Sequence, residues 1–320
     1  MGFSTCHADR GSALNPGGIS MKTGTVLRTA LSLTLLALFA SCSPTSSNNT
    51  DAANYQNPQS SDSGIIGGVA ADLSYQQQNG IVGIYDADRG ALCTGSLIAK
   101  NLVLTAAHCI NTFNAKSMLV FFSPSIKTAI KVNPFTGQTT YSKTLVRQAV
   151  KAVRNAKYNP KSESMTESTN DIALIRLASD APAGFQLAKL PSADLQLQAG
   201  EEVSLSGYGV DQYQTDPSTG EELSASGSGV LRKVDQIKIQ SVLPSGEEVT
   251  FDQSQGRGAC HGDSGGPAYL TDAKTQTTYL IGVTSRGSGD CNEIAVYSST
   301  IGQAKWIADT SATLLQLPLR

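Results

Sequence analysis

From residue 65 onward the apolar positions come in short runs of five to ten residues, not in long helical stripes. The runs read IVGIY (81–85), LCTGSLI (92–98), LVLTAAH (102–108), MLVFF (118–122) and LVRQAVKAV (145–153). They continue as IALIRL (172–177), EVSLSGYG (202–209), VLRKVDQIKI (230–239), YLIGVTS (279–285) and AVYSS (295–299). Each is rich in β-branched residues or alternates apolar with polar positions, and Gly, Asn, Asp or Pro breaks the gaps, which is the signature of strands and turns. The tripeptide AKN at 99–101 predicts a hairpin turn between two such runs. Only the tail GQAKWIADTSATLLQ (302–316) reads as a convincing helix. Regular short strands without intervening helices predict an all-β sandwich or barrel architecture. A Pro-containing stretch at 178–195 divides the strands into two halves, and no internal repeat is visible.

The first 64 residues follow a different pattern. From Met21, Lys22 and Arg28 give a positive start, an apolar run reaches Ala40, and small residues precede Cys42. That is the layout of a secretory signal, with the functional start at Met21 and a signal region over 1–42. FASC (39–42) resembles a bacterial lipoprotein signal, which predicts lipidation of Cys42; ordinary cleavage near Ala40 is the plainer reading. Residues 43–64 are rich in Ser, Asn and Pro without apolar period, as in a disordered linker or pro-segment. The expected place is therefore outside the cytoplasm, extracellular or periplasmic, with a possible membrane anchor through Cys42.

The 320 residues carry a formal net charge of −2, and nothing in that balance calls for a nucleic-acid partner. Of six cysteines, Cys6 and Cys42 precede the folded part. Cys93, Cys109, Cys260 and Cys291 remain, and in an exported chain they imply two disulfides. Three pairings are open. The local pairs Cys93–Cys109 and Cys260–Cys291 are the choice adopted here, each worth about 3–4 kcal/mol in the chain-entropy account. A metal site is the other reading of four cysteines, but none of the spacings is a Cys-x-x-Cys knuckle, so no metal is expected.

Three segments carry chemistry. LTAAHC (104–109) ends a strand on His108, one of only three histidines, beside a cysteine. Such a histidine is either a structural residue or a rigidly held base. NDIALIRL (170–177) opens an apolar strand on Asp171, either a turn residue or a carboxylate able to orient an imidazole. GACHGDSGGPAY (258–269) places Ser264 among Gly262, Gly265 and Gly266. Those glycines permit a turn that exposes Ser264 and aims the N–H groups of Gly262 and Ser264 at one point, the geometry of an oxyanion hole. Together they supply nucleophile, base and orienting acid.

With these blocks in view, residues 65–312 resemble the trypsin/chymotrypsin-like serine endopeptidases. IIGG (65–68), TAAHC, DIAL, GYG (207–209), GDSGGP, GVTSRG (282–287) and KWIA (305–308) carry the likeness, in the order of that family. The resemblance implies two antiparallel six-stranded β-barrels with a C-terminal helix, a protease domain over 65–320, an active site in the cleft between barrels, and both disulfide pairs chosen above. It implies a catalytic triad of His108, Asp171 and Ser264 and an oxyanion hole of Gly262 and Ser264. It further implies an activation pair in which Asp263 accepts the ammonium of Ile65 after a cut behind Gly64. Ser285, Arg286 and Gly287 should pair with substrate backbone, with Ser285 beside Asp171, and Gly258, Gly287 and Ala295 should line the pocket. Partners would be protein or peptide substrates and an activating protease, or the enzyme itself; the chemistry calls for no cofactor. An inactive binding relative and an esterase on the same fold are the rival readings.

The departures from the family bear on substrate. Gly258 stands where trypsin-like members carry an acid at the pocket floor, which favours a neutral or apolar residue before the cut. Glu293, His261 and Arg286 could each bring charge to the cleft rim. No Lys or Arg occurs in 43–64, so the activating cut needs another specificity. Arg286 replaces the common tryptophan of the substrate strand.

Overall fold

A computed structural model describes residues 3–5, 65–110, 113–162, 166–216 and 218–316. Apart from 3–5, the region expected to be a signal, with Met21 and Cys42, and the segment 43–64 lie outside the described residues. The described chain builds two closed six-stranded antiparallel barrels.

In the first barrel the strands run, in order of pairing, Ala173–Leu177, Leu102–Thr105, Ala91–Ala99, Ile81–Asp86, Met118–Phe121 and Val146–Arg154, which closes on the first. The expected hairpin at 99–101 is present, with Ala99 opposite Leu102. The second barrel orders Thr278–Ser288, Pro267–Thr271, Glu202–Gly207, Arg232–Val242, Glu248–Asp252 and Ile294–Ser299, and the last pairs back with the first. Between the barrels, residues 178–201 carry neither helix nor strand.

Alternation explains the closure. Val203 and Leu205, Val234, Val249 and Phe251, and Ile281 point into one apolar cluster of the second barrel, and the first barrel is filled by Ile84, Leu97, Leu104, Val120, Phe121 and Leu174 among others. At about 25 cal/mol per Å² of apolar surface removed from water, such clusters provide the main drive for folding.

Two barrel strands escape the periodicity reading. Glu248–Asp252 is buried at nearly every position although its first residue is a glutamate, and Pro267–Thr271 begins directly after the glycine-rich turn. The tail helix spans Ala304–Leu315, but it is not the only one. Leu73–Asn79 forms a second, short helix, started by the Asp72 side chain, which accepts from Tyr75 N–H at 2.8 Å, and ended at Gly80 with φ of 63°. It packs on the second barrel through the Tyr75 hydroxyl, 2.8 Å from Ser206 Oγ.

Both chosen disulfides are formed, Cys93–Cys109 and Cys260–Cys291. No helix among the described residues is long and apolar enough to cross a membrane.

Candidate active site

The strand Leu102–Thr105 leads into a single 3-10 turn, His108–Ile110, so the histidine leaves the sheet at the barrel rim. Asp171 sits immediately before Ala173–Leu177, the strand that pairs with Leu102–Thr105. That pairing sets the two side chains together. Asp171 Oδ1 accepts the His108 backbone N–H at 2.9 Å, and Oδ2 lies 2.7 Å from His108 Nδ1. Ser285 donates its hydroxyl to the same Oδ2 at 2.8 Å, and Ser298 donates to the Asp171 carbonyl at 2.9 Å. Burial works against the charge on Asp171, yet the attraction of His108 and the hydrogen bonds from His108 and Ser285 outweigh it. The carboxyl is held below its ordinary range.

His108 Nε2, on the far side of the ring, is buried and has no hydrogen-bond partner among the described residues. The turn carrying Ser264 packs against the same segment of chain. Thr94 N–H donates to the Ser264 carbonyl at 2.8 Å, and Cys109 Sγ lies 3.6 Å from that oxygen. One expectation is corrected here. Ser264 is not an exposed residue; only 3% of its surface is accessible, and its carbonyl is tied to Thr94 and lies against the Cys93–Cys109 bridge.

Gly262 and Gly265 have φ of 91° and 79°, values that side chains with a Cβ rarely adopt. The N–H groups of Gly262 and Ser264 donate to no protein acceptor among the described residues, whereas their neighbours Asp263 and Gly265 donate to the carbonyls of Cys260 and Thr284. The turn therefore leaves two donors idle beside a serine.

Asp263 is fully buried and turns away from the cleft. Its Oδ1 accepts Gly209 N–H at 2.8 Å and its Oδ2 accepts Cys260 N–H at 2.9 Å. The motif GYG makes room for it: a Cβ on Gly209 would lie 2.6 Å from the Asp263 carboxyl carbon. Burial pushes the Asp263 pKa up to about 7, against the pull of those two N–H groups and of Arg232. Ile65 is also wholly buried, in the second barrel's cluster, and Ile66 forms a bridge to Gly258.

The strand Thr278–Ser288 offers an edge beside Ser264. Phe3–Thr5 lies along it antiparallel, with Ser4 opposite Gly287 and Thr5 opposite Arg286, so this edge accepts an added strand. A recess of about 10 Å³ lies next to it, lined by residues that include Ala259, His261, Thr284, Gly287 and Ala295. That is room for about one water. Gly258 does not line it. Its ideal Cβ would lie 2.6 Å from Cγ of Gln253, a residue that the sequence reading missed. The Gln253 amide ties the recess wall together, donating to the Ala259 and Cys291 carbonyls and accepting from Ala259 N–H.

The rim charges expected at the cleft are largely absent. Arg286 is 2% exposed, and its guanidinium is committed to Glu248, with NH2 to Oε2 at 2.7 Å and NH1 to Oε1 at 2.9 Å. An arginine in a strand interior can bury its charge only against such a partner, so it cannot offer that charge to substrate. Glu293 is exposed and does not line the recess. His261 stays at the recess, its ring 4.4 Å from that of Tyr213.

A paired-barrel protein with a histidine–carboxylate couple, a neighbouring serine and idle backbone donors belongs to the class of serine hydrolases. The comparisons narrow this. The sequence model of the trypsin family matches residues 65–307, and the chain belongs to that family as a trypsin-like serine endopeptidase. It is similar to a trypsin of Sarcophaga bullata, 27% identical over 80% of this chain and 92% of the relative. It is similar also to a chymotrypsin of Phaedon cochleariae, 30% identical over 67% of this chain and 70% of the relative. A lectizyme of Glossina austeni is 25% identical over 72% of this chain and 81% of the relative.

Proposed function

We propose that the protein is an exported serine endopeptidase, made as a zymogen, that cleaves peptide bonds through Ser264, His108 and Asp171. The observation that carries this reading is the buried, unpartnered Nε2 of His108 on a ring whose other nitrogen is bonded to Asp171. A serine hydroxyl is a weak nucleophile until a base takes its proton. His108 Nε2 takes that proton as Ser264 Oγ attacks the scissile carbonyl, and returns it to the leaving amine. Asp171 holds Nδ1–H, fixes the tautomer and stabilises the imidazolium. The idle N–H groups of Gly262 and Ser264 receive the negative charge of the tetrahedral intermediate, each worth about 3–4 kcal/mol in such sites. Water then repeats the attack on the acyl-enzyme. The complete set of groups argues against an inactive binding relative.

Export rests on the signal-like 1–42 region and on disulfides, which persist in oxidising compartments. Lipidation of Cys42 would tether the precursor, and a cut before Ile65 would release the catalytic domain over 65–320.

Substrate preference follows from the recess. Gly258 brings no carboxylate, Gln253 closes the wall behind it, and about 10 Å³ is open. The residue before the scissile bond is small and neutral. Cleavage of a mixed peptide library, read by mass spectrometry, should favour Ala, Ser or Gly there over Lys, Arg or Phe by about 10–200-fold in kcat/KM. Best cleavage after Lys or Arg would overturn the pocket assignment, and hydrolysis of esters without any peptide would favour the esterase.

A further inference from the structure

Asp171 is presented by a short turn with an unusual backbone. Asn170, the residue before it, has φ of 52°, a left-handed value that surrounding contacts have to hold in place. One hold comes from the start of the C-terminal helix. Gln303 donates its side-chain amide to Asn170 Oδ1 at 3.0 Å, and Asn155 donates to Gln303 Oε1 at 3.0 Å.

The other hold comes from Glu248. This carboxylate is 1% exposed, on a strand of the second barrel. Its Oε1 accepts both the N–H and the hydroxyl of Thr169 at 2.8 Å, two residues before Asp171. Both of its oxygens accept from Arg286, which also donates to Thr169 Oγ1 at 3.1 Å. Arg286 directly follows Ser285, which donates to Asp171. One carboxylate thus joins the turn that carries Asp171 to the strand that carries Ser285 and borders the recess. The turn belongs to the first barrel and the strand to the second.

We propose that Glu248 is a positioning residue for the hydrolytic reaction, and that it acts through Thr169 and Arg286 to set Asp171 against His108. This rests on the triad assigned above. A buried ion pair by itself is weak ground for a role, since well-packed apolar residues often replace one without loss of stability. What marks this pair is its third member, Thr169, whose N–H and hydroxyl are both spent on it. Misplacing a group in such a constellation by about 1 Å costs about 10²-fold in rate.

The test separates position from stability. Glu248→Gln keeps one acceptor for Thr169 but turns an amide N–H group toward the buried guanidinium. The double variant Glu248→Met with Arg286→Met removes both charges together and keeps the volume. The activated enzyme and both variants are assayed for kcat and KM separately and for melting temperature. Both variants should lose about 10²-fold in kcat. The loss should fall on kcat with KM little changed, because what is disturbed is the alignment of the base and not the binding of substrate. The double variant leaves the buried Thr169 N–H and hydroxyl without their Glu248 acceptor, so it should melt below the wild type but stay folded at the assay temperature. Wild-type kcat in the folded double variant would overturn the proposal and leave the pair a packing feature. Should the wild type itself fail to react with a serine-directed fluorophosphonate, the triad reading falls first, and the two failures are distinguishable.

Discussion

Asp171→Asn is expected to lower kcat by about 10⁴ while the protein stays folded and substrate binding changes little. The reason lies in the hydrogen bonds around the carboxylate. Its two oxygens accept from His108 N–H, from His108 Nδ1–H and from the Ser285 hydroxyl. An asparagine has one acceptor oxygen, and its amide nitrogen must face one of those donors. The ring is then driven to the tautomer with its proton on Nε2, where it cannot take a proton from Ser264. The pH behaviour follows from the same geometry. The folded-state pKa of Asp171 is depressed, so its contribution to stability is complete above the ordinary carboxylate range and is lost only as pH falls through the lower folded value. Asp171 should therefore stay ionised in the acid range where an ordinary carboxyl already takes up its proton. Steady-state kinetics of the purified variant across pH checks both statements.

The second large effect belongs to Asp263 and Ile65. In the uncut chain burial pushes the Asp263 pKa up to about 7 from its ordinary 3.8. A raised acid binds its proton more tightly in the folded state than in the unfolded one. Stability therefore falls as pH rises from about 4 to 7, and above 7 the full penalty, on the order of 4 kcal/mol, weighs on the uncut form. Under the proposed activation, a cut behind Gly64 would supply an ammonium at Ile65, which is already buried in the second barrel's apolar cluster. Set against Asp263, that ammonium would return the carboxyl toward the ionised side and remove the penalty. Leaving either partner of such a pair alone costs about 3–5 kcal/mol. Chain retaining Gly64, and cut Asp263→Asn, are each expected to show about 10²–10³-fold less activity than the cut wild type. Full activity in chain that still carries residues 43–64 would contradict the zymogen assignment.

The blocks proposed to be catalytic were legible in sequence because each is contiguous. His108, Asp171 and Ser264 stand in short motifs whose residue types have few other uses together, and the disulfide pairs close around them. Most barrel strands were legible for the same local reason, alternation over five or more residues. What escaped depends on partners far away in the chain. Nothing local in GEEVTFD marks Glu248 as buried; it is buried because Arg286 and Thr169 meet it in the assembled barrels. Arg286 read as a rim cation for lack of that partner. Gln253 carries no local mark in the sequence, and only the fold sets its amide behind the recess. The burial of Ser264 likewise comes from Thr94 and the Cys93–Cys109 bridge, both distant from the glycine-rich turn. The short helix Leu73–Asn79 lacks an apolar stripe and is held by its caps, by Tyr75 and by buried Gln76, whose amide donates to the Tyr208 hydroxyl and the Ile81 carbonyl.

The most direct measurement is labelling of the purified, processed protein with a fluorophosphonate probe, followed by intact mass and N-terminal analysis of the labelled species. Ser264→Ala and His108→Ala serve as controls. The expected result is one probe per chain on wild type that begins at Ile65, with neither variant labelled. A folded chain that begins at Ile65 and takes up no probe would contradict the assignment of Ser264 and His108 as a working nucleophile and base, and with it the account of the protein as a protease.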